Sequence, residues 1–190
     1  MVYVGNHGLE RWRAGGIELK DNTLDYSGII KSVIEELNPL LSDEGIIIED
    51  KGITATIHYR LSPEPQLAER KILNTLNDST QTKSLRITRG KMSFNLLPPI
   101  EADKGTATMD LIREYNLKGG IYLGDDYTDI DAFRAIHAAC HERDFQGLAI
   151  GIIGSETPGN LETEADFTLK GVGDVELLLK WMTNTALRSS

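Results

Sequence analysis

The segment from Gly120 to Phe133, GIYLGDDYTDIDAF, gathers the carboxylates of Asp125, Asp126, Asp129 and Asp131 directly after an apolar run. Adjacent carboxylates repel, so a strand end carrying both Asp125 and Asp126 suits a hard divalent cation that offsets them. Mg2+ is commonly held through one or two carboxylates, with waters and phosphate oxygens completing its shell. Ligands of an open parallel sheet bind where the carboxyl ends of its strands meet the following loops, and Asp125 and Asp126 fall there. Asp129 and Asp131 follow in the loop and first helical turn, where the helix dipole by itself favours an anion and Thr128 could cap. Lys104, at the opening of an upstream helix, would bring a point charge to the same sheet edge, suited to a phosphate or an anionic intermediate. A lone lysine at a helix start is ordinary surface; its weight here comes from sharing a βαβ unit with the acidic loop.

Positioning these groups requires alternating helices and buried strands, which the pattern from Pro98 onward supplies. Helices are predicted over 102–117, 129–143 and 173–187, and strands over 119–126, 147–154 and 165–171. That alternation implies a parallel sheet covered by helices. Upstream the pattern differs. Residues 27–43 place Ile29, Ile30, Val33, Ile34, Leu37 and Leu41 on one helical face. A short apolar strand over 45–50 follows, then a strand in which Ile53, Ala55, Ile57 and Tyr59 alternate with polar neighbours, predicting a sheet with one wet face. A second helix over 62–78 starts near a proline, and 84–97 reads as a hairpin turning at Gly90. The expected organisation is an α/β core formed by residues 1–9 and 96–190, interrupted by an α+β cap over 10–95.

Composition narrows the function classes. A chain of 190 residues, 40% hydrophobic, can bury a sizeable core. A net charge of −9 without a clustered basic face disfavours a nucleic acid partner. No apolar run approaches the roughly 18 residues of a membrane span. The single cysteine, Cys140, can make no internal disulfide and suits a reducing compartment. The expected location is the cytoplasm, with no membrane and no nucleic acid partner.

These residues, in this order, resemble the trehalose-6-phosphate phosphatases of the haloacid dehalogenase (HAD) superfamily. GNHGLE is similar to that family's Gly-x-His-Gly-x-Glu, and IEDKGITATIHYR to its Glu-x-Lys strand followed by His-Tyr-Arg. ADKGTA resembles its Lys-Gly-x-Ala, and GDDYTDIDAF its Gly-Asp-Asp-x-Thr-Asp-Glu-x-x-Phe. The resemblance implies an α/β, HAD-like Rossmannoid parallel sheet with an inserted α+β cap, and Mg2+-dependent hydrolysis of trehalose 6-phosphate to trehalose and phosphate. It implies that Asp125 binds Mg2+ with Asp126 and Asp129 around it, and that Lys104 steadies the phosphoryl group and the nucleophile. Glu49 and Lys51, on one face of a strand, match cap residues that grip sugar hydroxyls. TRGK suggests Arg89 and Lys91 as further cap contacts, and His7, between its flanking Asn6 and Gly8, either borders the cleft or holds a turn.

Two departures and one absence bear on function. Asn95 stands where the family commonly has glutamate, and Ile130 and Asp131 follow Asp129 where glutamate would come next. The family's aspartate nucleophile, in a strand-borne Asp-x-Asp-Gly-Thr segment, is not found; the Asp-x-Asp at Asp129 and Asp131 belongs to the last motif. The resemblance places that central strand before residue 1, beside the strand at 121–123, so the expected sheet is incomplete and leaves apolar strand edges open. A preceding segment or a second chain would have to supply it. Three functions stay open: the cap and later core of a trehalose-phosphatase-like enzyme, inactive by itself; another phosphatase for sucrose phosphate or a mannosyl compound; or a non-catalytic sugar-phosphate-binding or regulatory protein.

Overall fold

The computed structural model describes residues 1–142, 144–155, 157 and 159–188, so the expected helix end at Arg143 lies outside the described residues. The chain divides into two compact units, Met1–Ala102 and Asp103–Ser190.

The first unit opens with three short strands, β1 (Tyr3–Gly5), β2 (Glu10–Arg13) and β3 (Gly16–Leu19), in an antiparallel sheet of order β1-β2-β3. Of the residues 1–9 expected in the α/β core, Tyr3–Gly5 form β1, which makes its ladder with β2. The hairpin that provides this partner, turning at Ala14 and Gly15, carried no assignment in the sequence reading. Next come α1 (Ser27–Leu40), β4 (Ile47–Asp50), β5 (Ala55–His58), α2 (Pro65–Asp78), β6 (Arg86–Gly90) and β7 (Ser93–Leu97). These four strands form an antiparallel sheet of order β4-β5-β7-β6. The apolar stripe of α1, with Ile30, Val33 and Leu37 buried, packs with Ile72 and Leu76 of α2 against Ile57, Phe94 and Leu96. Each fully buried side chain of this kind contributes about 1.5–3 kcal/mol.

The alternating strand at 53–59 is confirmed as β5, but its polar side is not wet. Thr54 and Thr56 are as buried as Ile57. As an inner strand β5 is flanked on both sides, and the hydroxyls find partners: Thr54 donates to Asn6 Oδ1 at 2.9 Å and Thr56 to Asn95 Oδ1 at 3.0 Å. Buried hydroxyls are tolerated when so paired.

The second unit consists of α3 (Lys104–Glu114), β8 (Gly119–Gly124), α4 (Asp129–Glu142), β9 (Gln146–Ile153), α5 (Leu161–Glu164), β10 (Phe167–Lys170) and α6 (Gly171–Arg188). Its strands form a parallel sheet of order β10-β9-β8, as the alternation implied. On one face, α4 buries Ile130, Phe133 and Ile136 among Phe145, Ala149 and Leu161. The other face is open: Ile121, Leu123 and Leu148 line a groove of about 690 Å³ with Leu179 and Met182 of α6. Among the described residues β8 is hydrogen-bonded to β9 alone, so its second edge has no strand partner. No helix is long and apolar enough to cross a membrane, among the described residues.

Candidate functional site

Two clusters hold the residues singled out in the sequence, one in each unit. In the second unit the site is built around Asp129, a residue only 4% exposed. Its Oδ1 accepts from Lys104 Nζ at 2.5 Å and from Tyr122 Oη at 2.9 Å. Its Oδ2 accepts the backbone N–H groups of Asp125 and Asp126, each at 2.9 Å. A carboxylate has about four lone-pair sites, and these four donors occupy them. Asp129 therefore works as the anchor of the loop and of Lys104, with little capacity left for a cation. Burial, then the neighbouring Asp129 charge, holds the Tyr122 hydroxyl well above its ordinary pKa, so it stays a donor.

Local sequence explains this arrangement. A Cβ at Gly124 would lie 2.3 Å from Asp129 Cβ, so only glycine lets the aspartate fold back against the strand end. A Cβ at Gly105 would meet the Asp131 carbonyl oxygen at 2.5 Å, so glycine also permits the first turn of α3 to lie against α4. That approach brings Lys104 within reach. A capping box fixes the same turn: Asp103 accepts from the Thr106 N–H at 2.6 Å, and the Asp103 N–H donates to Thr106 Oγ1 at 3.0 Å. The expected cap at Thr128 does not form. Its hydroxyl is buried without a partner among the described residues.

Asp125 is exposed at the carboxyl end of β8, and the Asp126 carboxylate beside it accepts the Tyr127 N–H at 2.7 Å. Among the described residues no three His, Cys, Asp or Glu groups are arranged to hold a metal ion. What this chain offers fits a hard cation that takes one or two carboxylates and completes its shell with other oxygens.

In the first unit, Glu49 on β4 pairs with Thr56, Asn95 and Thr88 across the sheet, so these four share one face. Lys51 Nζ and His58 Nε2 both reach Glu49 Oε2, at 3.3 and 3.0 Å. The His58 hydrogen bond, and after it the Lys51 contact, hold the Glu49 carboxyl below the usual range against partial desolvation. Asn95 is held by neutral hydrogen bonds from Thr56 and to Thr88, the latter at 3.5 Å. Arg89 lies on the other face. Its register partner is Phe94, over whose ring the guanidinium sits at 5.5 Å, and it pairs with Glu69 of α2 at 2.7 Å. The structure thus brings Glu49 and Lys51 together and directs Arg89 toward the helices. Lys91 sits in the turn between β6 and β7, where its carbonyl accepts from Arg60. His7 adopts left-handed dihedrals (φ 57°, ψ 33°) inside the Asn6–Gly8 turn. The sequence reading missed Tyr122 and His58 as site residues. Their signals were a polar-tipped aromatic two positions before Gly124, and a histidine diagonal to Glu49 on the adjacent strand.

The strand-end loop bearing paired aspartates, with a helix-borne lysine held beside it, sits on an α/β fold with a parallel sheet that solved proteins share. A trehalose-6-phosphate phosphatase related protein superposes with a TM-score of 0.69 and 22% identity, over 97% of this chain and 72% of that one. A HAD subclass IIB sugar phosphatase superposes at 0.57 with 10% identity, over 96% of this chain and 75% of that one. The C-terminal domain of a Candida albicans trehalose synthase regulatory protein gives 0.64 with 12% identity, over 92% of this chain and 71% of that one.

The family model described as trehalose-phosphatase matches residues 1–172, and the chain belongs to that family. Among curated relatives, probable trehalose-phosphate phosphatase 3 of Oryza sativa subsp. japonica is 26% identical, over 95% of this chain and 52% of its own length. The trehalose-phosphate phosphatase of Mycobacterium avium (strain 104) is 28% identical, over 88% of this chain and 43% of its own length. The chain thus spans about half the length of the curated relatives it matches.

Proposed function

We propose that this chain carries the sugar-recognising cap and the lysine-and-aspartate part of the phosphoryl site of a Mg2+-dependent trehalose 6-phosphate phosphatase. The observation that carries the reading is the Lys104–Asp129 pair, set beside the exposed Asp125 at the end of β8. In this reading Asp125 and Asp126 hold Mg2+, which offsets charge on the phosphate oxygens when bound. Lys104, fixed by Asp129, faces the phosphoryl group. Glu49 and Lys51 contact sugar hydroxyls, while Arg89 is left out because Glu69 and Phe94 engage it. His7 holds its turn, and Lys91 remains an outer contact of the cap.

The 190 residues contain no Asp-x-Asp-Gly-Thr segment, so the nucleophile comes from a strand that this chain does not carry. A preceding segment or a second chain bearing it would pair with the free edge of β8. We assign residues 1–9 and 96–190 to the core in that assembly, residues 10–95 to the cap, and the whole to the cytoplasm.

Calorimetric titration with trehalose 6-phosphate in the presence of Mg2+ tests this. Saturable binding without phosphate release is expected from this chain, and absence of binding would sink the reading. Asp125→Asn should weaken Mg2+ binding at least several-fold. Sucrose phosphate and a mannosyl phosphate serve as comparison ligands, because the neutral Asn95 shares the Glu49 face.

A second reading has its own support. One solved protein of similar fold is the C-terminal domain of a trehalose synthase regulatory protein, and such a role fits a chain without the nucleophile segment. Under it, binding occurs but no added nucleophile segment restores turnover.

A further inference from the structure

Glu49 is held from one side only. Both of its donors, His58 Nε2 and Lys51 Nζ, converge on Oε2, whereas Oε1 has no partner among the described residues. An ionised carboxylate only accepts, so the proton of the 3.0 Å contact resides on His58 Nε2. Glu49 and His58 are each about half exposed, at 48% and 41%. Surface ion pairs of this kind contribute little to folding. The arrangement therefore has its main effect on orientation. A glutamate on an edge strand is otherwise free to rotate, and holding it in one rotamer removes ordering cost from a later binding event.

We infer that His58 is a positioning residue, which fixes Glu49 by its Oε2 so that Oε1 is presented to a hydroxyl of the bound sugar. The inference rests on the reading of Glu49 as a sugar contact. His58 reaches Glu49 from the neighbouring strand, along the diagonal next to the Glu49–Thr56 pair. The other donor, Lys51, lies one residue past the end of β4, in the turn toward β5, and does not brace Glu49 from across the ladder.

The test is calorimetric affinity for trehalose 6-phosphate across wild-type, Glu49→Ala, His58→Leu, His58→Gln and the Glu49→Ala/His58→Leu double variant, with thermal unfolding of each. Loss of one orienting hydrogen bond should weaken binding by roughly 3- to 10-fold in His58→Leu. His58→Gln, whose amide N–H can still donate, should recover to within about twofold. The double variant should be no weaker than Glu49→Ala, and unfolding temperatures should stay together. Equal affinity of His58→Leu and wild-type, with Glu49→Ala impaired, would overturn the inference and leave the sugar contact standing. Unchanged affinity in Glu49→Ala, or no binding by wild-type, would remove the sugar contact and the inference with it. An additive loss in the double variant would also overturn it, because His58 would then act independently of Glu49.

Discussion

Lys104 and Asp129 lie 25 positions apart, yet Lys104 Nζ sits 2.5 Å from Asp129 Oδ1, each residue in the first turn of its own helix. The same carboxylate accepts the amides of Asp125 and Asp126. One side chain therefore sets both the position of the lysine and the shape of the acidic loop, which couples the charge that would meet a phosphate to the charge that would meet a cation.

Asp129→Ala should destabilise the chain by about 3 kcal/mol, since two loop amides, a tyrosine hydroxyl and the lysine lose their acceptor together. Asp129→Asn keeps one acceptor oxygen and should cost about half of that. Urea unfolding of the variants measures both, and equal stability of the alanine variant and wild-type would contradict the anchoring role.

Tyr122→Phe removes one donor from Asp129 without changing ring packing against Phe133. The expected loss is about 0.5–1.5 kcal/mol. A loss of 3 kcal/mol or more would mean that the ring itself shifts, which near-ultraviolet circular dichroism would detect.

The glycines at the site should differ from a glycine elsewhere. Gly124→Ala and Gly105→Ala place a methyl against Asp129 and the Asp131 carbonyl, and each should cost about 1–3 kcal/mol. Gly173 in α6 has open space around its missing Cβ. There alanine should be neutral or stabilising by up to about 1 kcal/mol, from helix propensity. Paired thermal melts would show the opposite signs.

Stability should fall on the acid side. Hydrogen bonds from Lys71, His58 and Arg134 are the leading causes that lower the pKa values of Asp43, Glu49 and Glu164 respectively. A carboxyl with a lowered folded-state pKa contributes stability that is present above its unfolded value, near 4, and lost as pH falls through the folded one. The urea midpoint should be level from about pH 6 to 8 and decline below about pH 4, and carbon NMR should find Glu49 titrating lower than in His58→Leu. A Glu49 titration that is the same in both proteins would remove His58 as the cause.

Long periodic elements were legible without the structure. The stripe from Ile30 to Leu37 and the alternation after Pro98 determined α1 and the parallel sheet, because burial sets their period. The hairpin of β2 and β3 was not legible: its strands are short and Trp12 and Ile17 are exposed, so the hydrophobic signal was weak. The residue types of the candidate site were legible from spacing, but the direction of each contact was not. Asp129 was read as one cation ligand among three, whereas its position behind Gly124 turns it toward Lys104. Arg89 and Glu49 looked alike in the sequence; the register that pairs Arg89 with Phe94 puts them on opposite faces.

The most direct test of the whole account is phosphate release from trehalose 6-phosphate in Mg2+, by this chain alone and after co-expression with a family segment bearing Asp-x-Asp-Gly-Thr. Release only with the added segment, lost in Lys104→Ala and in Asp125→Asn, is the expected result. Release by this chain alone at an undiminished rate in Lys104→Ala, or none with the segment stably bound, would contradict it.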